Sequence, residues 1–87
     1  MKSRATPSFW KLYRQLPRPV RQRTVKAYRL WRENPQHPSL RFKRVDPEEP
    51  IYSVRVGLNY PAVGWFEQDT IVWFWIGNHQ DYDRLLD

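Results

Sequence analysis

The stretch Thr70-Ile-Val-Trp-Phe-Trp-Ile76, followed at once by Gly77-Asn-His79-Gln-Asp-Tyr82, is the most informative part of the chain. Its first seven residues are almost all β-branched or aromatic, which predicts a strand in the interior of a sheet. The polar residues that follow place His79 and Tyr82 where this strand ends. Because a rigid strand can hold such side chains in fixed geometry, we expect a functional site there.

Three further strands are predicted upstream, from a hydrophobic period of two. Alternation predicts the first at Leu40–Val45, the second at Ile51–Val56 and the third at Tyr60–Phe66. Short connections favour antiparallel pairing among the last three strands of the chain, Ile51–Val56, Tyr60–Phe66 and Thr70–Ile76. The connecting turns are expected at Asp46–Pro50, Gly57–Asn59 and Glu67–Asp69.

Two helices are predicted before the strands. Thr6-Pro7 is typical of an N-cap followed by proline at the first helical position. A second apolar stripe runs from Val20 to Trp31 and ends before Asn34–Pro38, because proline cannot continue a helix. Residues 1–87 are therefore predicted to be a single α+β domain, with an N-terminal helical hairpin packed on a small, mostly antiparallel twisted sheet of about four strands.

Charge is divided unevenly along the chain. Of the 15 Lys and Arg residues, 13 lie in residues 1–44, where Glu33 is the single acid, whereas residues 45–87 hold the other eight acids. Such an electropositive half suits a polyanion, and nucleic acid is the leading candidate. A solvated basic face without a ligand is the alternative. The cations expected to contact RNA are Arg21, Lys26, Arg41, Lys43 and Arg44.

Composition argues against export, membrane insertion and thiol chemistry. The chain has no cysteine, and no stretch approaches the roughly 20 apolar residues of a membrane span. Its basic N-terminus lacks the apolar segment of a secretory signal. We therefore expect a cytoplasmic protein without a membrane partner. Asp81 and Asp83 beside His79 are better interpreted as capping or salt-bridging residues, so no metal or other cofactor is predicted.

The residue types available fit cleavage of an RNA phosphodiester without a metal. That reaction needs the 2′-hydroxyl activated, the phosphate charge neutralised and the 5′ oxygen protonated. His79 is a candidate acid or base, and Tyr82 a second proton donor or a stacking surface. Arg55 and Lys43, with Arg44, are candidate phosphate ligands. The alternatives are an ordinary turn residue for His79 and a structural ion pair for Arg55.

Strand alternation also assigns side chains to faces. It predicts that Lys43 shares a face with Arg41, and that Trp73 and Trp75 pack together in the core. Base stacking is the alternative for the tryptophans. His37, which precedes Pro38, is predicted to be a turn residue.

Three segments resemble the RelE/ParE superfamily of bacterial toxins, and HigB- and YafQ-like members most: His37-Pro-Ser-Leu40-Arg-Phe-Lys43, Tyr52-Ser-Val-Arg55-Val-Gly57 and Trp75-Ile-Gly77-Asn-His79-Gln-Asp-Tyr82-Asp. The resemblance implies the toxin of a type II toxin-antitoxin system. Such toxins are usually metal-independent, ribosome-dependent endoribonucleases that cleave mRNA in the A site. A cognate antitoxin, expected to be acidic, and the ribosome with its mRNA are the implied partners. A ParE-like branch instead poisons DNA gyrase.

The resemblance also implies roles for individual residues. Arg55 matches the arginine of the second strand, Lys43 matches the basic first strand, and His79 with Tyr82 match residues implicated in the chemistry. At Asn59-Tyr60-Pro61-Ala62, similar proteins usually have arginine where this chain has Pro61, and that arginine is expected to hold the scissile phosphate. Because proline lacks an N–H, it is expected at a sheet edge or bulge. A weakened toxin that mainly binds its antitoxin is therefore a further alternative.

Overall fold

A computed structural model describes residues 1–87, which form five strands, three α-helices and one 3₁₀ turn. The elements, in chain order, are β1 (Lys2–Ala5), α1 (Pro7–Arg14), α2 (Arg18–Glu33), the 3₁₀ turn (Pro38–Leu40), β2 (Lys43–Arg44), β3 (Ile51–Gly57), β4 (Tyr60–Glu67), β5 (Thr70–Ile76) and α3 (His79–Leu86).

The strands form one sheet in the spatial order β1-β5-β4-β3-β2. The last four strands of the chain pair antiparallel, whereas β1 lies parallel to β5. The α+β architecture with a helical hairpin is confirmed, with one strand more than the predicted four. β1 was not predicted because Lys2–Ala5 has no hydrophobic alternation, and its strand geometry comes from pairing with the distant β5.

Local signals set the start and end of the hairpin formed by α1 and α2. The hydroxyl of Thr6 accepts the N–H of Phe9, which confirms the predicted N-cap, and Pro7 occupies the first turn. α2 ends at Glu33, just before the predicted proline-rich segment. His37 caps the 3₁₀ turn by accepting the N–H of Ser39, as expected of a turn residue.

The core lies between the hairpin and one face of the sheet, called here the inner face. Trp31 is 2% exposed, and its ring meets that of Trp73 edge-on at 5.5 Å between centroids. Both indole N–H groups are enclosed without a hydrogen-bond partner. Burial of an unpaired N–H is unfavourable, and the edge-to-face contact of the two rings partly offsets this free-energy cost. The core residues are Phe9, Leu16, Val20, Trp31, Leu40, Val54, Val56, Ala62, Ile71, Trp73 and Ile76.

A bulge in β5 changes which side chains share a face. The pairing with β4 moves from Val63 opposite Trp75 to Gly64 opposite Trp73, so Phe74 is an extra residue. Trp73 therefore stays in the core while Trp75 lies on the opposite face of the sheet, called here the outer face. The prediction that the two tryptophans pack together is wrong, because alternation alone does not account for the inserted residue.

The predicted strand at Leu40–Val45 is also wrong over most of its length. Only Lys43–Arg44 is a strand, because buried Leu40 belongs to the 3₁₀ turn and Arg41 has a left-handed backbone, with φ of 46°. The break in conformation at Arg41 removes the alternation on which the shared face of Arg41 and Lys43 depended.

The residues after β5 form a helix and not an extended tail. Asn78 is the N-cap of α3, and its side-chain oxygen accepts the N–H of Asp81 at 2.8 Å. His79 therefore occupies the first position of a helix, and Tyr82 lies one turn later. The expected salt bridge of Asp81 forms within this helix, with Arg84, and Asp83 lies beside His79.

We predict that Gly64→Ala destabilises the protein by about 1–3 kcal/mol, the usual range for overpacking. A Cβ at residue 64 would lie 2.8 Å from the carbonyl oxygen of Val72 and 2.9 Å from the Trp73 ring, and the backbone atom cannot give way cheaply. Gly57→Ala is the matched control, since its Cβ would approach no atom closer than 3.7 Å. The free energy of unfolding in urea measures both; equal losses would contradict the prediction.

A pH-dependent contribution is predicted for Asp46, in the turn between β2 and β3. Its carboxylate accepts the N–H groups of Glu49 and Glu48, both at 2.8 Å, and these bonds hold the pKa of Asp46 below its ordinary value of 3.8. The stabilisation is therefore present above that value and is lost as the pH falls through the lower folded-state pKa. We expect the stability difference between wild type and Asp46→Asn to shrink from pH 7 to pH 2, and a constant difference would refute this.

Candidate active site

Register brings four residues into one row across the outer face. Lys43 pairs with Ser53, Ser53 with Val63, and Val63 with Trp75, so their side chains share this face. The neighbouring residue Val54 belongs to the core on the inner face, which confirms the assignment. The row therefore runs from a basic residue at the β2 edge to an aromatic ring on β5.

Arg55 lies on the same face, two residues along β3 from Ser53, a distance of about 7 Å along a strand. It pairs directly with Pro61 of β4, and the register shifts just beyond this pair. The expectation that Pro61 lies beside a bulge is confirmed. The carbonyl oxygen of Pro61 accepts the N–H of Gly77 at 3.3 Å, so the segment leading into α3 begins beside Arg55 and Pro61.

His79 and Tyr82, both in α3, lie close to each other, and Tyr82 lies close to Trp75 of the row. Their ring centroids are 5.4 Å apart, and the Tyr82 ring lies 6.4 Å from that of Trp75. Nδ1 of His79 lies 3.4 Å from a carboxylate oxygen of Asp83, one turn further on. If Asp83 accepts a hydrogen bond from Nδ1, the Nε2 lone pair is left as a base. His79 is 60% exposed, so an RNA ligand can reach it.

The two cations of the outer face have no acidic partner. Neither Lys43 nor Arg55 takes part in a salt bridge, since Arg4 and Arg84 are the paired cations and the remaining close contact joins His79 to Asp83. The structural ion pair considered for Arg55 is therefore not formed. Unpaired cations on one face leave their charge available to an anion.

Three other residues predicted to contact RNA, namely Arg21, Arg41 and Arg44, do not belong to the row on the outer face. Arg44 donates from Nε to the carbonyl oxygens of Asp46 and Glu49, at 2.9 and 3.3 Å, and so holds the β2–β3 turn. Arg21 donates to the carbonyl oxygen of Leu16 at 2.9 Å, at the end of α1. These guanidinium groups make contacts within the chain. Arg41 is exposed at the end of the 3₁₀ turn and belongs to no strand.

Lys26 and Arg55 line the same open groove, between α2 and the end of β3. Arg23 also lines it and was not singled out from the sequence, although its three-residue spacing from Lys26 places both on one side of a helix. Ser53 was also missed, whereas Asp83 was predicted only as a capping or salt-bridging residue. Ser53 is two residues from Arg55 in a strand, and Asp83 is four residues from His79 in what proved to be a helix.

Ser53 is buried, with only 5% of its surface exposed, yet its hydroxyl makes no hydrogen bond within the chain. The enclosed side-chain atoms without a partner belong to Trp31 and Trp73, so the Ser53 oxygen still reaches solvent. A free hydroxyl directly opposite Lys43 is a neutral donor at the centre of the row.

Nothing in the donor set resembles a metal site. No three His, Cys, Asp or Glu side chains are grouped closely enough to hold an ion. None of the helices combines the length and apolar character needed to cross a membrane.

Solved structures with this fold include several toxins. A chain of the RelB-RelE antitoxin-toxin complex from Methanococcus jannaschii is 19% identical, with a TM-score of 0.75 over 95% of this chain and 98% of that one. YafQ from E. coli strain BL21(DE3) is 8% identical, with a TM-score of 0.73 over 93% and 96%. The YoeB/ParE toxin from Agrobacterium tumefaciens is 14% identical, with a TM-score of 0.70 over 91% and 99%. These similarities show the fold.

Sequence comparison identifies the family. No curated protein matches the chain significantly. The family model described as a ParE-like toxin domain matches residues 18–84, which run from the start of α2 into α3 and include every candidate site residue named above. The chain therefore belongs to the family of ParE-like toxin domains, as its resemblance to the RelE/ParE superfamily predicted.

Proposed function

We propose that this toxin is a metal-independent endoribonuclease that cleaves mRNA on the ribosome and so inhibits translation. The observation that carries the proposal is the outer face, where Lys43 and Arg55 have no ion-pair partner and α3 adds His79 and Tyr82. This combination places candidate phosphate-binding groups and candidate proton-transfer groups on one face of the sheet. Residues 1–87 would act as one domain in the cytoplasm, where the ribosome is found.

In the proposed reaction, Nε2 of His79 takes the proton of the 2′-hydroxyl, and the resulting oxyanion attacks phosphorus. The bond from phosphorus to the 5′ oxygen breaks, Tyr82 protonates that oxygen, and the products are a 2′,3′-cyclic phosphate and a 5′-hydroxyl. The His79 imidazolium then releases its proton to solvent and the Tyr82 phenolate takes one up, so that both groups return to their starting states. Lys43 and Arg55 stabilise the additional negative charge of the transition state, and Asp83 orients the imidazole.

The partner proposed for the toxin is a cognate antitoxin with an acidic surface. Chains with this fold have been solved as RelB-RelE complexes from Methanococcus jannaschii and Pyrococcus horikoshii, which supports an antitoxin as partner. The first 44 residues carry 13 cations and one acid, so an acidic partner would complement them.

A second candidate function is inhibition of DNA gyrase without catalysis, and the description of the matching family as ParE-like favours it. A third is a weakened toxin that mainly binds its antitoxin. Pro61 supports that candidate, since it provides no charge at the position directly opposite Arg55. Substitutions of His79 and Pro61 distinguish these alternatives, because mRNA cleavage that depends on these positions is expected only of the nuclease.

His79→Ala is expected to lower the rate of mRNA cleavage by about 10²–10⁴-fold, the usual contribution of a positioned acid or base. His37→Ala is the control, because His37 is the only other histidine and lies in the 3₁₀ turn. The measurement is mapping of mRNA 5′ ends in a translating extract. Intact mRNA with wild-type toxin, together with DNA damage in cells that express it, would favour gyrase inhibition instead.

Pro61→Arg is expected to raise the cleavage rate by about 10- to 100-fold, because hydrogen bonds to charged groups contribute about 1.5–3 kcal/mol. Pro61→Gln is the matched control, since it restores the backbone N–H and side-chain length without the charge. Cleavage-end mapping and growth inhibition are measured for both. A toxic arginine variant beside an inactive parent would identify the natural protein as a weakened toxin, and equal activity of all three would rule out a phosphate contact at this position.

A further inference from the structure

An open basic groove lies between α2 and the end of β3. It encloses about 700 Å³ and is lined by Arg23 and Lys26 of α2 and by Arg55 of β3. None of these cations forms a salt bridge, and no acidic residue lines the groove. The groove is therefore a concave surface with uncompensated positive charge.

Arg55 connects this groove with the candidate active site. It lines the groove at the edge of β3, and its register places it on the outer face with Ser53 and Lys43. β2 covers β3 only at Tyr52 and Ser53, so the edge of β3 beyond Ser53 has no further strand. A ligand that passes from the outer face over this edge would therefore cross no further strand and would run beside the 3₁₀ turn, which contacts β3 and lines the groove.

The groove also has an apolar side. Leu58, at the turn after β3, is 71% exposed, and buried Leu40 contributes to the same lining. An exposed leucine beside several cations suits a ligand that combines anionic groups with flat apolar surfaces. Single-stranded RNA has this combination, because phosphates alternate with bases that lie against apolar side chains once unstacked.

We propose that the single-stranded RNA held at the outer face continues over the edge of β3 into this groove. Arg23 and Lys26 bind successive backbone phosphates there, and a base packs on Leu58. The proposal rests on the proposed action on RNA, and it adds a second contact region beyond the scissile phosphate. The groove thereby sets the path of the RNA and lengthens the segment that the toxin holds.

The test is the salt dependence of binding of the 87-residue toxin to a 10-nucleotide single-stranded RNA with 2′-O-methyl riboses, which lack the 2′-hydroxyl needed for cleavage. Each phosphate contact adds about 0.7 to the slope of log K against log salt concentration, so Arg23→Gln with Lys26→Gln should lower the slope by about 1.4. The control, Lys11→Gln with Arg14→Gln on α1, removes the same charge from exposed residues outside the groove and should leave the slope unchanged. Leu58→Ser should weaken binding about 3- to 10-fold with no change of slope.

Equal slopes for the two double variants would overturn the proposal, because the groove would then contribute only general charge. Loss of binding to a polyglutamate peptide with unchanged RNA binding would also overturn it, and would assign the groove to an acidic protein. Cleavage by the wild type is measured separately on unmodified mRNA. A toxin that binds but does not cut would thus refute the nuclease and leave the groove result intact.

Discussion

The close approach of β4 to β5 at Gly64 is the constraint on which the candidate site depends. A side chain at residue 64 would meet the backbone of Val72 and the ring of Trp73, and only glycine lets the bulge form there. The bulge keeps Trp73 in the core and turns Trp75 to the outer face. Trp75 contacts Tyr82, so the position of α3 follows from a glycine that touches no candidate catalytic residue.

The residues that stabilise the fold are different from the charged residues that are available for binding. Its two arginine–carboxylate ion pairs are both exposed, and such pairs contribute about 0–1 kcal/mol each. Stability rests instead on an aromatic and aliphatic core in which Trp31 contacts both Phe42 and Trp73. Most cations therefore have no role within the fold. Their mutual repulsion in the free protein is relieved when a polyanion or an acidic partner binds.

Some features determined by neighbouring residues in the sequence were predicted correctly. The capping threonine of α1 and the apolar strand Thr70–Ile76 were both identified, and the strand matches its predicted ends. Features that depend on distant residues were not predicted. β1 forms because β5 offers an edge, and the outward position of Trp75 follows from a bulge. Arg55 and Lys43 could be selected as candidates from residue type, but Ser53 became visible only when register placed it between them.

Pro61 shows how one uncharged residue changes the electrostatics of this face. Side chains directly opposite each other on antiparallel strands lie about 4.5–5.5 Å apart, so an arginine at residue 61 would place two like charges side by side with Arg55. That arrangement is costly in the free protein and becomes favourable only with an anion between the charges. Proline removes the repulsion and with it part of the attraction for phosphate. In the proposed nuclease, proline at this position would lower the affinity for the scissile phosphate in exchange for a less strained free state, and phosphate binding at this face would rest on Arg55 and Lys43.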